Sequence, residues 1–120
     1  MADYSSYYLQ TEGGRSPVEE FIDSLHSATQ RKFFYKRKLL GEFGPKLPYP
    51  HAKYVGEHLY ELRFEGHEGH VRVFYFFDGR RIIFMHAMKK KTQKIPPQEL
   101  VVAIQRKNAY MLDARNKKEG

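Results

Sequence analysis

The dipeptide Asp78-Gly79 is the feature that most limits what this chain can fold into. It separates two β-rich runs, residues 71–77 and 80–88. A two-residue type I′ loop favours Asp-Gly because both central positions need positive φ. With Asp78-Gly79 as the loop, Phe77 faces Arg80, Tyr75 faces Ile82, Val73 faces Phe84 and Arg72 faces Met85. Side chains alternate along a strand. Arg72, Phe74, Phe76, Arg81, Ile83, Met85 and Ala87 then share one face, and Val71, Val73, Tyr75, Phe77, Ile82, Phe84 and His86 the other. Both faces are largely apolar, so the hairpin is expected to be central and covered on both sides. Arg72 breaks the pattern, since a guanidinium among apolar neighbours is costly unless it is paired or opens on a groove. The same alternation carries Lys89 and Lys91 to the Arg72 side, which outlines a concave basic cluster.

The rest of the chain reads as support for this sheet. Residues 59–64 alternate as a further strand, with Tyr60, Leu62 and Phe64 on one face and Leu59, Glu61 and Arg63 on the other. Residues 4–9 have the composition of a short strand. Ser16-Pro17-Val18-Glu19 has the form of a helix start with a capping box, and Val18, Phe21, Ile22 and Leu25 follow at helical spacing for about three turns. A second helix is expected from about Thr29 to Phe43, with Phe33, Leu40 and Phe43 inward and Gly44-Pro45 as its stop. Residues 45–57 form a Pro-rich connection carrying Lys46, His51 and Lys53. Ile95-Pro96-Pro97 opens a last helix with Leu100, Ala103, Ile104 and Met111 as its apolar side and Arg106, Lys107, Arg115, Lys117 and Lys118 towards its end. The order β-α-α-β-β-β-α with a twisted antiparallel core sheet is an α+β arrangement.

A chain of 120 residues suits one domain, 1–120, and 41% hydrophobic and 15% aromatic residues exclude a disordered chain. No run reaches the length of a membrane span, no secretory signal opens the chain, and Cys is absent, so a cytoplasmic protein without membrane contact is expected. The formal charge of +7 points to a polyanionic partner, with plain solubility as the alternative.

Six histidines raise the question of a metal, but neither an H-E-x-x-H pattern nor any Cys accompanies them, and no metal or other cofactor is expected. His86, one strand position from the lysines, reads as a hydrogen-bonded core or supporting histidine more readily than as a base. Glu61 and Arg63 lie two apart on one strand face, where they either pair or serve a site. Lys89-Lys90-Lys91-Thr92-Gln93-Lys94 is the sharpest signal. Cations converging from neighbouring strands, with neutral donors beside them, are what a phosphodiester and its transition state require.

The segments S-P-V-E-E-F, L-Y-E-L-R, R-V-x-Y-F-x-D-G-R-R-I and H-x-x-K-K-x-T-Q-K-x-P, in this order and spacing, resemble the HigB-like branch of the RelE/ParE toxin superfamily. The resemblance implies a RelE-like fold and a toxin of a type II toxin–antitoxin pair. It implies a metal-independent endoribonuclease that cuts mRNA on the ribosome by 2′-hydroxyl attack, with a cognate antitoxin as partner. By position it assigns Arg63, Arg72 and Lys91 to catalysis, Lys53, Lys89, Lys90, Thr92, Gln93 and Lys94 to RNA contact, and Glu61 and His86 to supporting roles. The superfamily also contains DNA gyrase inhibitors, so a gyrase-directed or plain nucleic-acid-binding protein is the alternative. Arg63 stands where some members carry Lys, and Pro96-Pro97 where some carry Tyr.

Overall fold

The computed structural model describes residues 3–92 and 94–119, the side chains of 114–119 apart. Five strands and three helices follow in the order β1 (Ser5–Tyr8), α1 (Pro17–Asp23), α2 (Ser27–Phe43), β2 (Ala52–Gly56), β3 (Leu59–Gly66), β4 (Gly69–Asp78), β5 (Arg81–Lys90) and α3 (Pro97–Glu119), with a 3-10 turn at Gly44–Lys46. The class is α+β. The sheet order is β1-β5-β4-β3-β2, and β1 runs parallel to β5 while all other pairs are antiparallel. The sheet is therefore mixed, and β2 adds a strand inside what the sequence presents as a Pro-rich connection.

Each sheet face has its own apolar layer. On one, Val18 and Ile22 of α1 and Phe33 and Leu40 of α2 pack on Leu62, Val73, Tyr75, Ile82 and Phe84. On the other, Ala103 of α3, with Leu100 and Ile104, packs on Leu59, Phe74, Phe76, Ile83 and Met85. Each of these larger side chains contributes on the order of 1.5–3 kcal/mol by leaving water. Phe43 and Met111, read as inward-facing, are exposed instead. Helix α1 is only seven residues long, and the Ser16 side chain makes no capping bond. Gly44 at φ 54° ends α2, where a side chain would be strained.

The central hairpin is central and doubly covered, but its register differs from the Asp78-Gly79 expectation. Asp78 pairs with Arg81, so the two loop residues are Gly79 and Arg80. Positive φ falls on Gly79 (61°), the first turn position, as a type II′ loop requires. The observed partners are Phe77↔Ile82, Tyr75↔Phe84, Val73↔Ala87 and Arg72↔Met88. A β-bulge opposite Phe74 and Tyr75 makes Met85 the extra residue of β5. Beyond it the alternation reverses. His86 lies on the Arg72 face, paired with Phe74, and Ala87 and Lys89 lie on the opposite face.

A bulge frees a backbone carbonyl that needs a partner. Here Arg106 of α3 donates Nη1 to the Met85 carbonyl at 2.9 Å and to His86 Nδ1 at 3.1 Å. Arginine only donates, so Nδ1 accepts and the ring proton sits on Nε2, 2.8 Å from Glu99. Both His86 nitrogens are thus spent on holding α3 against β5. Arg106→Met, which keeps much of the packing, should cost about 1–3 kcal/mol in urea unfolding by leaving that carbonyl unsatisfied. A loss within experimental error would mean the bulge holds without the helix.

Candidate functional site

Helix α3 covers the middle of its sheet face and leaves the end carrying Arg63 and Arg72 without a helix. These two residues are direct cross-strand partners on β3 and β4. Adjacent guanidinium groups repel unless carboxylates intervene, and here each arginine has one. Arg63 Nη1 donates to Glu61 Oε1 at 2.5 Å, and Arg72 Nη1 to Glu65 Oε1 at 3.3 Å. Arg72 Nη1 also donates to the Val71 carbonyl at 2.9 Å and the Phe64 carbonyl at 3.4 Å. His70 pairs with the other Glu65 oxygen.

Burial sharpens the arrangement. Arg72 is 0% exposed, Glu61 1%, and the Arg63 side chain 12%. Among the described residues, the buried polar side-chain atoms without a partner are Glu61 Oε2, Arg63 Nε, Arg72 Nε and Arg72 Nη2. Buried polar groups are normally satisfied, and these orphans collect in one patch. Three of the four are guanidinium donors, so unpartnered donors outnumber acceptors in the patch.

The bulge decides which lysine joins them. Lys90, paired with His70, takes the Arg72 face, while Lys89, paired with Val71, points to the other. Burial, and then the Arg72 charge, hold the Lys90 ammonium below the ordinary lysine range. Glu61 acts in the opposite direction, and Arg63 and Lys53 reinforce the lowering. Lys53 stands opposite Glu61 on β2. The patch thus sets Arg63, Arg72, Lys90 and Lys53 against Glu61 and Glu65. Lys91, Thr92 and Lys94 follow the strand and are exposed, and Gln93 lies outside the described residues, as do the side chains of Arg115, Lys117 and Lys118.

Sequence reasoning missed a second wall of the site. The exposed Tyr49 ring lies 5.0 Å from the Arg63 guanidinium carbon. His51 accepts the Arg63 backbone N–H at its carbonyl, and its Nδ1 is 2.7 Å from Lys36 Nζ. Burial is the main cause of a lowered pKa at Lys36, with Glu65 opposing it and Arg63 assisting. The only sequence signal was a Tyr and a His in the Pro-rich connection. Nothing local ties them to Arg63. His86, by contrast, is committed to α3 and contributes no free nitrogen to the patch. Among the described residues no group of three or more His, Asp or Glu is placed to hold a metal ion, and no helix is long and apolar enough to cross a membrane.

Comparison with known families places the geometry in context. Residues 20–108 match the family described as Phage derived protein Gp49-like (DUF891), and the chain belongs to that family. It is a RelE/HigB-like toxin family within the toxin–antitoxin superfamily. No curated protein matches the chain.

Lys90 offers a test of the patch. A lysine whose pKa falls on folding is penalised wherever it is charged. That penalty is absent above the unfolded value of about 10.4, and stability is lost as pH falls through the lowered folded value. Lys90→Met should therefore stabilise the protein towards urea at about pH 7 and be closer to neutral at about pH 11. The same effect at both pH values would show that neither burial nor the neighbouring arginines perturb Lys90.

Proposed function

We propose that this protein is the toxin of a type II toxin–antitoxin pair and a metal-independent endoribonuclease that cuts mRNA on the ribosome. One observation carries the reading: two arginines opposite each other on central strands, with three unpartnered buried guanidinium nitrogens beside a lysine of lowered pKa. Family membership supports the toxin part of it.

In this reading a 2′-hydroxyl attacks the adjacent phosphorus, the P–O5′ bond breaks, and a 2′,3′-cyclic phosphate and a 5′-hydroxyl result. Arg63, at the open edge of the patch, meets the phosphate. Arg72 stabilises the added negative charge from beneath, and Lys90 adds a third cation. His51, whose Nδ1 accepts from Lys36, presents its Nε2–H to a non-bridging phosphate oxygen, and the 2′ proton passes to water. Lys91, exposed at the end of the strand, delivers a proton to the departing 5′ oxygen. Lys53, Thr92, Gln93 and Lys94 supply backbone contacts to the RNA, and Lys89, on the opposite sheet face, takes no part. The cognate antitoxin then covers this patch with an acidic or amphipathic segment. Co-expression with it should relieve growth arrest and give a co-purifying complex.

The complete burial of Arg72 favours a second reading, a gyrase-directed or plain nucleic-acid-binding protein in which that guanidinium only holds the sheet. RNA end mapping after brief induction separates the two: cuts within translated codons mean a nuclease, and intact mRNA with broken DNA means gyrase poisoning.

Single-turnover cleavage of ribosome-bound mRNA tests the roles. Arg63→Ala, Arg72→Ala, His51→Ala and Lys91→Ala should each lower the rate on the order of 10²–10³ with ribosome binding nearly intact. Lys94→Ala should keep the rate and weaken binding, with a salt slope smaller by about one. Equal small losses throughout would mean that the patch binds RNA without cutting it.

A further inference from the structure

Beyond Arg63, strand β3 has no strand on its β2 side, because β2 begins at Ala52 opposite Leu62. Helix α2 stands beside this open edge instead. Lys32 Nζ donates to the Glu65 carbonyl at 2.7 Å and so occupies one edge acceptor. Between helix and edge lies a pocket of about 330 Å³, lined by Tyr35, Pro50, Lys32, Lys36 and Arg63 among others. Its composition is unusual for a surface hollow. Tyr35 is 58% exposed, and no ring contact covers it among the described residues. Lys32 and Lys36 each show one hydrogen bond, although an ammonium has three protons to give. Arg63 lines this pocket and also belongs to the catalytic patch, so the two are continuous.

We propose that this pocket is a nucleobase subsite, in which the Tyr35 ring stacks on a base of single-stranded RNA whose phosphates run over Arg63, Lys36 and Lys32. The inference rests on the endoribonuclease reading and deepens it by naming how the substrate strand is held beside the cut. An aromatic platform next to a track of cations is the arrangement that binds unpaired strands, because every base has a face to stack and every linkage a charge to pair. A duplex hides its base faces and offers Tyr35 nothing to stack on. An acidic peptide would use the lysines but leave the ring without a specific partner. Tyr49, exposed beside Arg63, offers a second ring for the neighbouring base.

The measurement is fluorescence anisotropy with the free full-length chain and two labelled 12-mers. One is 2′-O-methyl RNA, which cannot be cleaved by 2′ attack, and the other is an abasic oligomer of the same length and charge. The wild type should bind the RNA about 5- to 150-fold more tightly than the abasic strand, the range expected for a stacked base. Tyr35→Ala should erase most of that preference without weakening abasic binding, and Tyr35→Phe should retain it. Thermal melting of both variants should match the wild type, since the ring is exposed. Equal affinity of the wild type for the two strands, or a preference untouched by Tyr35→Ala, overturns the subsite. So does a Tyr35→Ala defect confined to an acidic antitoxin peptide, which would make the pocket a protein dock. Because neither probe can be cut, the nuclease reading fails separately: base preference without mRNA cleavage leaves the subsite standing, and cleavage without base preference leaves the nuclease standing.

Discussion

A single hydrogen bond, from Arg106 to the carbonyl of Met85, joins α3 to the bulge of β5. The carbonyl is available because β5 carries one residue too many there. The bulge reverses which side chains face which layer for the rest of the strand. Without it, alternation from the turn would bring Ala87, Lys89 and Lys91 to Arg72. With it, Met88 and Lys90 arrive. The bulge, which Arg106 of α3 caps, determines which cation faces Arg72. That cap is a tertiary interaction acting on local geometry, and it links α3 to the chemistry although α3 stands outside the patch.

The same dependence explains what could be read from residues alone. The apolar faces of β3, β4 and the first half of β5 follow from alternation, and the ends of α2 at Gly44 and α3 at Pro97 follow from backbone constraints local to those residues. Arg72 stood out because charge interrupts an apolar run, Arg63 was assigned through the resemblance, and the two prove to be direct partners. The turn falls one residue later, at Gly79-Arg80, which shifts each pair by two residues, and the bulge at Met85 adds one more, since neither a II′ preference for Gly in the first loop position nor an arginine 21 residues away leaves a mark in the strand itself. The loop with positive φ at both central residues is Glu57-His58, between β2 and β3, where neither central residue is a glycine. Its cost of roughly 1–2 kcal/mol per residue must be met by contacts around it. One is the 2.7 Å bond from Lys107 of α3 to the Glu57 carbonyl.

Electrostatics gives the patch its character. Two buried arginines next to each other would be prohibitive alone, and two carboxylates lower that cost without satisfying every nitrogen. Full compensation would have made a structural ion network, stable and inert. Here the donors outnumber the acceptors, and the Lys90 ammonium, held below the ordinary lysine range first by burial, is lowered further by the Arg72 charge. On the proposed reading, an incoming phosphate would relieve like-charge repulsion and supply missing acceptors at once, which would make binding energy available where negative charge develops.

Helix α2 has two duties that its sequence separates by face. Phe33 and Leu40 anchor it in the core, fully buried, while Lys32, Tyr35 and Lys36 turn toward the open end of β3. A strand there would have closed the edge and filled the pocket. The late start of β2 leaves the gap, and the Pro-rich approach to β2 places Tyr49, Pro50 and His51 around it. The cation pair of the sheet is therefore flanked by groups whose chemistry differs from its own: rings that can stack and an imidazole held by an amine. Charge alone would grip any polyanion. On the proposed reading, the added rings and imidazole would distinguish an unpaired, base-bearing strand from other polyanions, so that selectivity would be tested on the α2 side and rate on the Arg63–Arg72 side.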